Sequence, residues 1–85
     1  MYILSADGKS MVNPSLITVE RNTLGLYSEK KGMKFVLLAM AVGQDDRDLG
    51  VALDAYATEE EAIYALERIF AAMETGDTTY RMGEY

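Results

Sequence analysis

The side chains that could do chemistry in this chain are carboxylates, serines and a few cations, because it contains no histidine and no cysteine. The commonest general base, the thiolate nucleophile and the nitrogen and sulfur ligands of transition metals are therefore missing. Ser5, Ser10, Ser15 and Ser28 have no evident activator. Paired carboxylates could still do acid–base work, given two acids with separated pKa values in one cleft. The densest acidic run, Glu59-Glu60-Glu61, answers a different need, since negative charge in a first helical turn opposes the helix dipole. Asp45, Asp46 and Asp48 could gather a hard cation, but Arg47 stands among them and the calcium-loop spacing with its glycine is absent. Gly8-Lys9-Ser10 ends like a phosphate-binding loop, yet Ile3 stands where the first glycine belongs and a strand follows. No catalytic residue, metal site or cofactor is expected, and the chain does not read as an enzyme.

Two binding surfaces are conceivable. The first is apolar: Val36, Leu38, Met40 and Val42 alternate along one strand whose opposite face is apolar too, so either barrel closure, with Leu24 and Leu26 or Ile17 and Val19 folding over, or a protein partner or second copy of the chain must cover them. The alternative is a weak nucleic-acid surface in which Lys9, Arg21, Lys30, Lys31 and Lys34 meet phosphate and Tyr27 stacks on a base. A net charge of −6 argues against the second. The charge is uneven, however: residues 1–44 carry five basic and three acidic side chains, and residues 45–85 carry three and eleven.

The elements that must position these residues centre on a strand running into a helix. From Thr58 to Thr75 the apolar residues Ala62, Ile63, Leu66, Ile69, Phe70 and Met73 recur every three or four positions, which predicts one buried stripe with Leu66 and Ile69 deepest. Thr58 and Glu61 form the S/T-x-x-E capping box, and Gly76 supplies the left-handed turn that ends a helix. Before it, Leu49 to Ala57 alternates as a strand, with Val51, Leu53 and Ala55 on one face. Upstream, Tyr2–Ser5 and Ser10–Asn13 flank Asp7-Gly8 as a hairpin, Leu16–Arg21 is a third strand, Leu24–Ser28 a fourth, and Met33–Val42 the longest. Thr79–Met82 follows the helix as a last short strand. The expected fold is α+β: mainly an antiparallel meander of about seven strands, curled into a sheet or half-open barrel, with one amphipathic helix near the C-terminus.

Eighty-five residues suffice for a single domain, residues 1–85, with about 60–65% of the unfolded surface buried. The longest uncharged apolar run, Phe35 to Val42, falls well short of the ~20 residues of a membrane helix. Residues 1–5 have neither the basic start nor the length of a signal peptide, so a cytoplasmic protein without membrane contact is expected.

The two ends also carry a pattern. Ile3-x-Ser5-x-Asp7-Gly8-Lys9-x-Met11-Val12-Asn13, the stretch Tyr56-Ala57-Thr58-Glu59-Glu60-Glu61-Ala62 and the closing Tyr80-Arg81-Met82-Gly83-Glu84 resemble small uncharacterised proteins of phages and mobile elements of Gram-positive bacteria. The resemblance departs at Asp54, where the pattern has a small uncharged residue, and at Gly83, where it has proline. It implies a fold and a genomic setting, not an activity.

Overall fold

In the computed structural model, which describes residues 1–27, 32–41 and 50–83, six strands and one helix are arranged as two three-stranded sheets. The strands are β1 (Tyr2–Leu4), β2 (Met11–Val12), β3 (Pro14–Arg21), β4 (Phe35–Ala41), β5 (Val51–Tyr56) and β6 (Thr79–Arg81). The helix α1 runs from Glu59 to Glu74. The larger sheet has the order β3-β4-β5 and is antiparallel throughout. The smaller has the order β2-β1-β6, in which β1 and β6 are parallel.

The meander therefore does not close into a barrel among the described residues. Its N-terminal hairpin leaves the large sheet and pairs with the C-terminal strand, Tyr2 N–H donating to the Thr78 carbonyl at 2.9 Å and Met82 N–H to the Leu4 carbonyl at 3.0 Å. The strand expected over Leu24–Ser28 is also absent over Leu24–Tyr27, which form turns. Gly25 (φ 67°) and Tyr27 (φ 57°) are left-handed, a conformation no strand accommodates. Asn22 braces that loop: its side-chain N–H groups donate to the carbonyls of Leu26 (2.7 Å) and Met33 (3.0 Å), and its Oδ1 accepts from Leu26 N–H (2.9 Å).

The helix starts and stops where its caps dictate. Thr58 has extended backbone and its hydroxyl accepts the Glu61 N–H at 3.2 Å. At the other end Gly76 N–H reaches Met73 O (3.0 Å) and Asp77 N–H reaches Ala72 O (3.1 Å), the paired bonds of a Schellman motif, with Gly76 at φ 83°. The buried stripe differs from the expected one. Ala62, Ala65 and Ile69 are buried and Leu66 is half-buried, while Ile63, Phe70 and Met73 are exposed. Two alanines let the helix lie close on the sheet, and that proximity turns the bulkier neighbouring stripe outward.

Under the helix, Ile3, Leu37, Leu53 and Ile69 are almost completely buried in one cluster with Ala39, Tyr56 and Met82, and Ile17 and Val19 pack against it. Each large apolar side chain buried this way contributes roughly 1.5–3 kcal/mol. Strand β5 does not keep a period of two through the core. Leu37 faces Asp54 while Leu38 faces Ala52, so Leu53 is the extra residue of a β-bulge. Leu53 and Tyr56 consequently both join the core cluster, and Ala55, expected on the same face as Leu53, is buried outside it.

Candidate functional site

The sheet face turned away from the helix is the larger candidate site. Alternation along β4 that puts Leu37 and Ala39 under the helix must put Val36, Leu38 and Met40 on the opposite face. There they form, with Ala52, the floor of a cleft of about 590 Å³ whose rim is the Asn22-braced loop with Leu24 and Leu26. Thr18, Glu20 and Arg21 of β3 line its other side. The four apolar residues expected as an interaction surface are thus not equivalent. Val36 is buried by the chain itself (2% exposed), Leu38 and Met40 are half-buried, and Val42 lies outside the described residues.

A polar corner adjoins this cleft. Ser5, only 2% exposed, donates its hydroxyl to Asp7 Oδ1 at 2.6 Å and accepts Ser10 N–H at 3.1 Å. The same carboxylate oxygen accepts Lys9 N–H at 2.9 Å. The Ser5 hydroxyl, followed by the Lys9 N–H, holds the Asp7 carboxyl below its ordinary value. Ser5 is committed in both directions, so this pair staples the hairpin and does not generate a nucleophile. Tyr27, Asp7 and Lys9 share a second, polar hollow of about 470 Å³ with Gly50 and Ala52. The Tyr27 hydroxyl lies 3.1 Å from the Ala52 carbonyl and 3.0 Å from that of Leu53, and burial, seconded by the Asp7 charge, raises its pKa above 10.0. Asp54 is buried on the bulge, where its carboxylate accepts the Ala55 N–H at 2.8 Å.

Of the cations weighed for nucleic acid, Arg21 and Lys34 are exposed at the same end of the large sheet, since Arg21 pairs with Phe35 and Asn22 N–H donates to the Lys34 carbonyl. The Arg21 guanidinium lies 5.9 Å from the centre of the Phe35 ring. Lys9 is exposed on the β1–β2 turn. Tyr27 is half-buried, with its hydroxyl turned to β5. Lys30 and Lys31, like the acidic residues Asp45, Asp46 and Asp48, lie outside the described residues. Among the described residues no three carboxylates converge as a metal site. The same residues include no helix long and apolar enough to cross a membrane.

Sequence reasoning missed the polar corner, although one signal was available: a serine two residues before an Asp-Gly turn is placed to donate to that aspartate. The brace made by Asn22 had no such signal, because its partners Leu26 and Met33 meet it only once the loop is folded. Comparison of the chain with family models, curated proteins and solved structures gives no match.

Proposed function

We propose that this protein acts without catalysis, as an accessory or interaction protein that receives a protein partner in the cleft opposite the helix. The observation that carries this reading is the cleft's floor and rim: Leu38 and Met40 are left half-buried and Leu24 stands 62% exposed beside them. An apolar concavity with an adjustable methionine in its floor suits a protein surface. A cytoplasmic setting fits a chain without cysteine, and a phage or mobile-element origin is what the resemblance of the chain's two ends supports.

The test is co-purification from cells with tagged wild-type protein and with Leu38→Glu. A partner retained by the wild type and lost from the folded variant is the expected result; equal recovery from both would remove the cleft from the reading. Retention on heparin or single-stranded DNA, followed against salt, separates the other class of partner. Phosphate contacts by Lys9, Arg21 and Lys34 release counterions and weaken steeply with salt, whereas an apolar contact does not.

A further inference from the structure

The sheets differ in how their edges are finished. On the β5 side of the large sheet, the Leu53 carbonyl accepts the Ala6 N–H at 2.8 Å and, with the Ala52 carbonyl, lies within reach of the Tyr27 hydroxyl. The bulge bends the same strand. The outer strands of the small sheet, β2 and β6, are two and three residues long. These are the usual ways of blunting an edge. Strand β3 has none of them along its middle. It is eight residues long and hydrogen-bonded only to β4 among the described residues. Leu16-Ile17-Thr18-Val19 has no charge, proline or glycine, and its Ser15 bulge and Pro14 lie at one end. Beside it runs an apolar groove of about 350 Å³ between β3 and α1, lined by Met1, Leu16, Ile17, Leu66, Phe70 and Met73. Leu16, Phe70 and Met73 are more than half exposed there.

We infer that β3 is a self-pairing edge, joining a second copy of the chain into one continuous six-stranded antiparallel sheet. A two-fold axis normal to the sheet requires that paired residue numbers share a constant, even sum, which keeps both helices on one side. Centred on Thr18, the pairing sets Thr18 against Thr18, Ile17 against Val19, Leu16 against Glu20 and Ser15 against Arg21. The charges allow it: Glu20 and Arg21 lie at one end, so the two Glu20 side chains stand roughly 14 Å apart along the strands, beyond a Debye length of about 10 Å. No like charges oppose each other, even though each chain carries −6. On the helix side, the second copy's Val19 and the stem of its Arg21 cover the groove beside Ser15 and Ile17. A stable interface takes roughly 800 Å² from each partner, about one-seventh of the 5722 Å² this molecule exposes. The second copy would cover the eight-residue edge together with Phe70 and Met73, which are more than half exposed beside it.

Sedimentation over a wide concentration range, with Leu16→Glu and Leu16→Lys, tests the register as well as the interface. Leu16 is 52% exposed, so both variants should fold. Leu16→Glu opposes Glu20 twice per dimer and should raise the dissociation constant about tenfold or more, whereas Leu16→Lys places opposite charges together and should leave it unchanged or lower it. Leu38→Glu, on the cleft face, should have no effect on dimerisation. A wild type that stays monomeric at millimolar concentration overturns the proposal and leaves the edge to a foreign strand. A dimer that survives Leu16→Glu but dissociates with Leu38→Glu overturns it in favour of the cleft face. Loss of the dimer in both Leu16 variants overturns this register.

Discussion

Strand β4 passes through two environments with nearly the same residues. On its helix side Leu37 and Ala39 are 0% exposed, and on the cleft side Leu38 and Met40 remain half-buried. The residue types do not decide this, since both rows are apolar. The difference is made by what can reach each face: α1 presents Ala62 and Ala65 and lies flat on one, while the other receives a short loop braced through Asn22. Apolar surface is a demand for cover, and in a chain of this length one helix can meet that demand once.

The sharpest way to test the comparison is to truncate neighbouring leucines on the two faces. Leu37→Ala should cost about 2–5 kcal/mol, through lost burial and the cavity left behind. Leu38→Ala should cost clearly less, because Leu38 is only half-buried and already meets solvent on the cleft side. Equal losses in denaturant melts would mean that the cleft face is covered as tightly as the helix face. A smaller effect is expected where the chain re-enters the sheet. Gly50 has φ 84°, and a Cβ there would lie 2.7 Å from the Ala39 carbonyl oxygen, so Gly50→Ala combines strain with a backbone clash. A loss of about 1–3 kcal/mol is expected, and an unchanged melt would show that β5 starts along a different path.

The smallest effect is electrostatic and belongs to the polar corner. The Asp7 carboxyl is held below its ordinary value chiefly by the Ser5 hydroxyl, so its contribution to stability is present above the unfolded pKa. That contribution is lost as pH falls below about 4 and through the lower folded value. Removing the hydroxyl in Ser5→Ala should move the Asp7 titration upward toward the ordinary carboxylate range, as followed by NMR of the side-chain carboxyl. No movement would assign the shift to the Lys9 N–H instead.

These contrasts also mark how far the sequence could be read. Features with local causes were legible: Thr58 and Gly76 bound the helix as their side-chain and backbone chemistry requires, Asp7-Gly8 turns the first hairpin, and the alternation of β4 correctly gives two apolar faces. Features set by distant partners were not. The helix is rotated toward its alanines because the sheet rewards close approach, which the spacing of Ile63, Phe70 and Met73 conceals. The Leu53 bulge breaks a pattern that looks regular, and the parallel partner of β1 lies at the far end of the chain. The candidate cleft was half legible, in Leu38 and Met40; Val36 is covered by the chain, and the rim comes from a segment that reads as a strand.

The pairing of β1 with β6 also governs the order in which the molecule can be made. Tyr2 faces Thr79 and Leu4 faces Arg81, so the small sheet can be completed only after residues 79–81 have left the ribosome. Until then Ile3 can meet Val12 across the hairpin but has no β6 beside it. The entropy of closing so long a loop grows only with the logarithm of its length, and because the contact is so distant in sequence, a late folding step is expected for it. A nascent chain stalled before Thr79 can form its helix and large sheet while leaving one side of β1 unzipped.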